Sequence, residues 1–215
     1  MKKASFLIDG FNLYHSVRIA EIELKSSTKW LDVKKLCTSY LQVISGFVGD
    51  KVTLQNIYYF SALATHLEIS NPDVTERHKK FIRCLKNTGI LVELSQFKEK
   101  HIRCPKCHRK FIKHEEKETD VAIAIKLLEI FLINECDVAV IFSGDTDLAP
   151  AVKTAISLYP SKKVIFAFPY QRKNKELANL AHHSFKIKKK QYVKYQFPDP
   201  YTLSDGKIIN KPISW

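Results

Sequence analysis

Short β-branched and aromatic runs alternate along the chain with longer stretches whose apolar residues recur at helical spacing, which predicts βα units building a mostly parallel sheet. Strands are predicted at Ser5 to Ile8, Asn56 to Phe60, Ile90 to Leu94, Val138 to Phe142 and Val164 to Phe168. Helices are predicted over Asp32 to Ile44, Pro72 to Asn87, Asp120 to Glu135, Leu148 to Leu158 and Lys175 to Ala181. Asn71 before Pro72 reads as an N-cap followed by proline at the first helical position, and Gly89 as a stop after Asn87. Two regions break the alternation. Lys98 to Glu118, rich in Lys, Arg and His around Cys104-Pro105-Lys106-Cys107, reads as an inserted loop or knuckle. Beyond Ala181 the chain turns basic through Lys186 to Lys190 and then becomes an aromatic, Pro-containing tail from Tyr192 to Trp215.

Composition narrows the class. A chain of 215 residues with 45% hydrophobic residues buries one full core with decorations. Lys plus Arg number 35 against 22 for Asp plus Glu, and the net charge of +13 favours a polyanionic partner. Aromatic residues at 11% exclude a disordered basic tail protein. The most apolar stretch, Val121 to Ile133, is broken by Lys126 and Glu129, so no membrane span is expected. Asp9 cuts off the apolar run behind Met1, Lys2 and Lys3 before a signal peptide could form, which makes the cytoplasm the expected address. There, five cysteines favour a metal site or buried thiols over a disulfide framework.

Ligands of an open parallel sheet bind at the carboxyl edge of its strands, so acids at strand ends matter most. Asp9 follows the first strand in Asp9-Gly10-Phe11-Asn12, where Gly10 is expected to make a tight turn that leaves Asp9 and Asn12 exposed. Asp145 and Asp147 follow a later strand in Ser143-Gly144-Asp145-Thr146-Asp147. Asp120 opens a helix so apolar that only its N-terminus is expected to reach solvent. Any one of these acids could be a simple cap, Asp147 for the helix beginning at Leu148 in particular. Together they form a rim of like charges that a hard divalent cation, Mg²⁺ or Mn²⁺, would reconcile, with basic surroundings gripping phosphate.

At these residues the chain resembles the NYN domain family, PIN-like nucleases that include the LabA-like bacterial proteins. The resemblance rests on Phe6-Leu7-Ile8-Asp9-Gly10-Phe11-Asn12-Leu13, Lys117-Glu118-Thr119-Asp120-Val121-Ala122-Ile123-Ala124 and Ser143-Gly144-Asp145-Thr146-Asp147-Leu148-Ala149-Pro150, and covers about Lys3 to Lys188. It implies a Rossmann-like three-layer α/β/α sandwich and a Mg²⁺- or Mn²⁺-dependent endoribonuclease site, with Asp9, Asp120, Asp145 and Asp147 as the acidic set and Asn12 beside them. The expected division is a nuclease domain over residues 1–190, carrying the insertion at 98–118, and a tail over 191–215. Where many relatives carry a further acid after the Asp120 position, this chain has Lys126, which either reduces metal affinity or exchanges an ancillary acid for a phosphate-binding cation. That substitution keeps a second reading open, a non-catalytic RNA-binding regulator with a vestigial site. A haloacid-dehalogenase-type phosphatase would want an acid where Phe11 stands.

The Cys-x₂-Cys of Cys104 and Cys107 is half of a structural Zn²⁺ site, which His101 and His114 would complete; an unmetallated polar hairpin is the plain alternative. Arg103, Lys106, Arg109, Lys110 and Lys113 of that loop are expected to overhang the acidic rim. Lys117, Lys126, Lys153, Arg172, Lys173 and Lys175 are the expected nucleic-acid contacts, and Tyr192, Tyr195 and Phe197 among the C-terminal lysines offer stacking surfaces or the pattern of an edge strand. The expected partner is RNA, single-stranded or structured, with no membrane and with a homo-oligomer left open.

Overall fold

A strand covered by helices on both faces has no side to give to water, and Val138–Phe142 is buried at every position for that reason. The computed structural model describes all residues from Met1 to Trp215. In chain order β1 (Lys2–Asp9) leads into α1 (Gly10–Leu24), α2 (Val33–Ser39) and α3 (Leu41–Val48). Then come β2 (Val52–Ala62), α4 (Val74–Asn87), β3 (Leu91–Arg103), β4 (Lys110–Lys117), α5 (Thr119–Leu132), β5 (Val138–Phe142) and α6 (Ala149–Leu158). The chain closes with β6 (Lys163–Phe168), α7 (Lys175–Leu180), β7 (His183–Lys186), α8 (Lys189–Lys194) and a small hairpin of β8 (Tyr201–Thr202) and β9 (Ile208–Ile209).

Seven strands form one sheet in the order β4-β3-β2-β1-β5-β6-β7. All neighbours are parallel except β4, which runs antiparallel to β3. Side-chain alternation divides the core in two. Phe6, Ile8, Tyr59 and Val140 face α1 to α4 and the C-terminal residues, whereas Leu7, Phe60, Ile141 and Phe166 face α5 to α7. The result is the expected three-layer α/β/α sandwich. The sheet grows from β1 through β2 to β3 and later resumes with β5 on the other side of β1, which makes the β1–β5 junction the topological switch point. No helix is long and apolar enough to cross a membrane.

Several elements differ from expectation. The expected turn at Gly10 is the start of α1, which buries Leu13, Val17 and Ala20. Gly10 supplies space, because a Cβ there would meet the Phe60 carbonyl at 2.6 Å and the Tyr59 ring at 2.9 Å. The expected single helix from Asp32 to Ile44 divides at Tyr40, with Asp32 capping α2 by accepting from the Lys35 N–H. Helix α4 starts at Val74, so Asn71 and Pro72 belong to the preceding turn, while Gly89 does take a left-handed φ of 87° behind the helix. Helix α5 buries Ile123, Leu127, Ile130 and Phe131 but leaves Val121 and Ile125 about 60% exposed, so its apolar run is only partly covered. The region around Cys104 is the tip of an antiparallel arm made by β3 and β4. Tyr192 and Phe197 are buried in the same core as α1, and Trp215 packs against Trp30 and Phe81.

Gly46 lies exposed within α3, and a Cβ added there meets nothing within 4 Å. Gly46→Ala is therefore expected to raise stability by about 0.5–1 kcal/mol through helix propensity alone. Thermal denaturation checks this; an unchanged or lower Tm would contradict it.

Candidate active site

The end of β1 and the end of β5 meet at the switch point, and their side chains are wired together. Asp9 caps α1: its Oδ1 accepts from the Asn12 N–H at 2.9 Å. Its Oδ2 accepts from Asn12 Nδ2 at 2.5 Å and from Ser143 Oγ at 2.8 Å. Asn12 Oδ1 in turn accepts from the Gly144 N–H at 3.3 Å, and Ser143 Oγ accepts from the Asp145 N–H at 3.1 Å. Asp9 is thus 3% exposed rather than displayed at the rim as expected, because three donors draw it down between the strands. Burial pushes its carboxyl up, the bonds from Asn12 and Ser143 pull it back, and the charge of Asp145 pushes it up again.

Asp145 caps a single 3₁₀ turn, Thr146–Leu148, by accepting from the Asp147 N–H at 3.1 Å. That leaves Asp147 exposed and not needed as a cap, against the plain reading of that residue. Asp120, half-buried in the first turn of α5, is raised to about 6 by burial and then by Asp145, Asp9 and Asp147 in that order. The four expected carboxylates therefore share one field, and Asn12 tethers the first of them.

A fifth acid joins them. Glu116, next to last in β4, is bonded by Thr119 Oγ1 and raised to about 7 by burial, with Asp9 and Asp120 adding to the effect. Its only sequence signal is its place four residues before Asp120; its approach depends on β4 running back along β3. Ser143 was visible as part of the Ser-Gly-Asp motif, but its bond to Asp9 was not.

All donors around the rim are oxygens, and like charges there raise each other's proton affinity, so the residues fit a hard divalent cation in Asp9, Asp120, Asp145 and Asp147. No group of three or more acidic, His or Cys side chains is arranged closely enough to hold a metal ion by itself. Mg²⁺ and Mn²⁺ in general take one or two carboxylates and complete their shell with water and phosphate.

The expected cations are placed unevenly. The Arg172 backbone carbonyl lies against Gly144, and its side-chain Nε is buried without a partner. Lys153, Lys173 and Lys175 are exposed on α6 and around the start of α7. Lys117 is exposed but ion-paired with Glu115 at 3.1 Å. Lys126 corrects the reading made of it: Glu129 at 2.7 Å and Glu93 at 3.5 Å take up its ammonium over the Tyr58 ring, leaving no free phosphate grip.

The Cys104 and Cys107 pair does form a tight knuckle. The Cys104 Sγ accepts from the backbone N–H groups of Lys106 and Cys107, which lowers its proton affinity, and His108 adopts a left-handed φ of 55°. The expected Cys₂His₂ set is not assembled, however. His101 lies opposite Ile112 in the arm, and His114, four residues from Lys110 and so about 13 Å down the strand, stacks on His66 at 4.3 Å. Only the root of the arm, at Glu116, reaches the acids. Arg103, Lys106, Arg109 and Lys110 lie toward the tip, about 20 Å along the strand from Glu116 to Lys110.

No curated protein sequence matches the chain. Among solved structures, the crystal structure of a protein of unknown function from Vibrio parahaemolyticus is similar with a TM-score of 0.56 and 19% identity, over 87% of this chain and 93% of that one. That likeness shows the shared fold. The family model of the NYN domain, a PIN-like nuclease-type fold that supports a nuclease or RNA-related role, matches residues 3–188. The protein belongs to the NYN domain family.

Proposed function

We propose that the protein is a divalent-metal-dependent endoribonuclease whose centre is formed by Asp9, Asp120, Asp145 and Asp147. The observation that carries this reading is the convergence of these acids, with Glu116 beside them: burial first, and the neighbouring carboxylates after it, raise Asp120 to about 6 and Glu116 to about 7 inside a chain of net charge +13. Bound among the carboxylates, Mg²⁺ or Mn²⁺ would supply Lewis acidity toward the phosphodiester and toward water. Asn12 fixes the Asp9 carboxylate, so that ligand arrives oriented. Glu116, whose proton affinity lies nearest neutrality, takes a proton from the attacking water at its carboxylate. Arg172, whose backbone packs against Gly144 and whose Nε has no partner, is the cation proposed for the non-bridging phosphate oxygens. Lys126 is held by Glu93 and Glu129, so its charge is balanced away from the acids proposed to hold the metal.

Purified protein incubated with single-stranded RNA is expected to cut it with Mn²⁺ or Mg²⁺ and to stop in EDTA, and Asp145→Asn to bind RNA without cutting. If wild type and variant cut equally, or if both bind and neither cuts, the enzyme reading is lost.

A further inference from the structure

Across the strand edge from the acids, Gly10 borders a cavity of about 340 Å³ that the metal chemistry does not use, a volume within the range of small-ligand sites. Much of its wall is aromatic, from Phe11 and Tyr14 of α1, Tyr59 of β2, Phe81 of α4, Phe97 at the root of the arm and Trp215, with aliphatic side chains such as Leu13 and Val17 between them. Phe11 and Phe97 meet edge to face at 5.6 Å, and Phe97 packs on His66 at 4.5 Å.

The polar groups in this lining are few and of a particular kind. His78 Nε2 lies 3.5 Å from Ser61 Oγ, and burial pushes the His78 imidazole down to about 4. At neutral pH it therefore offers one donor and one acceptor nitrogen and no charge. His66 has a buried Nδ1 with no hydrogen-bond partner. Two cations also line it: Lys29, ion-paired with Glu21, and Arg77, bonded to Asn71 Oδ1 at 3.4 Å. Flat aromatic walls with neutral donors and acceptors suit a planar heteroaromatic ring better than an alkyl chain, which would leave these polar atoms unpaired. The cavity adjoins the acids, none of which lines it: Gly10, the next residue after Asp9, forms part of its wall. Tyr59 pairs in register with Ile8, and the charges of Asp9 and Glu116 reach its phenol.

We propose that this cavity receives one nucleobase of an RNA strand whose adjoining phosphate lies at Asp9 and Asp120. The choice of RNA rests on the endoribonuclease reading. Stacking against Phe11, Phe97 and Tyr59 holds the ring, Ser61, His66 and His78 address its edge, and Arg77 neutralises a neighbouring phosphate. Occupancy of the cavity sets where the strand is cut.

The test uses nucleosides, which lack phosphate, titrated in EDTA into the full chain and followed by protein NMR. Val74→Trp fills the cavity from the first turn of α4, and Phe97→Ala removes a stacking wall without touching the sheet core. At least one of adenosine, guanosine, cytidine and uridine is expected to bind below roughly 10 mM, and each variant to weaken that binding at least about tenfold with folding intact by Tm. On RNA, Val74→Trp is expected to raise KM and shift the cut positions while kcat is held. No nucleoside binding, binding undiminished in both variants, or binding of a medium-chain fatty acid in place of every nucleoside would overturn the proposal. Nucleoside binding without RNA cleavage would sink the nuclease reading and leave the base site standing; cleavage without nucleoside binding would do the reverse.

Discussion

Asp120→Asn is expected to lower metal-dependent RNA cleavage by about 10³-fold while making the metal-free protein more stable at pH 8. The two effects share one cause. Asp120 is raised from 3.8 to about 6 by burial and by three neighbouring acids, so its charged form is disfavoured in the fold relative to the unfolded chain. Between about pH 4 and 6 the folded state binds the extra proton, so stability falls as pH rises through that window and the full penalty persists above it. Replacing the carboxylate by an amide of the same shape removes the penalty. Because the group is only half-buried, solvent reduces the effect, and a gain of about 2–4 °C in Tm is expected at pH 8, shrinking as pH falls from 6 toward 4. Scanning calorimetry in EDTA at several pH values reads the stability arm, and initial rates with Mn²⁺ read the other. A variant that keeps its rate, or that loses stability at pH 8, contradicts the view that this carboxylate exists for a cation rather than for the fold.

What the sequence discloses of such a site depends on how local the cause is. Asp9 and Asp145 were legible because a parallel strand delivers the residue that follows it to one sheet edge, and Val138–Phe142 was legible because a strand covered on both faces is apolar throughout. The mistaken turn at Gly10 had a local explanation and a distant one. The glycine is needed because β2 brings the Phe60 carbonyl against it, and nothing near position 10 states that. Glu116 and Lys126 fail for the same reason. Glu116 reaches Asp9 only because the arm folds back, and Lys126 meets Glu93 only because β3 passes beside α5. The spacing of Cys104 and Cys107 gave the knuckle itself, whereas the strand register that takes His114 away from it is a property of the whole arm. Aromatic residues near the C-terminus carry no mark that Trp30 awaits them.

Gly144→Ala is expected to damage both fold and site, and more severely than any surface change. A Cβ at this position would lie 2.1 Å from the Arg172 carbonyl oxygen and 3.1 Å from its carbon, so the obstacle is backbone that no rotamer change can clear. Either the loop carrying Arg172 or the end of β5 must move. In the first case the Arg172 loop loses its packing against the end of β5; in the second the Gly144 N–H leaves Asn12 Oδ1, and Asp145 shifts away from Asp9 with it. Overpacking of this kind costs about 3 kcal/mol or more, equivalent to a fall of about 6–12 °C in Tm for a chain of this size. Cleavage should drop at least about 100-fold, since a displacement of roughly 1 Å at the ligands is enough for that. Gly46→Ala, the same chemical change in open space, should go the other way, which separates a packing effect from a general intolerance of added methyl groups. A Gly144→Ala protein that melts within about 2 °C of wild type and still cuts RNA would show that the Arg172 loop yields freely. The switch point would then tolerate a side chain at the place where β5 hands its carboxylate to the site.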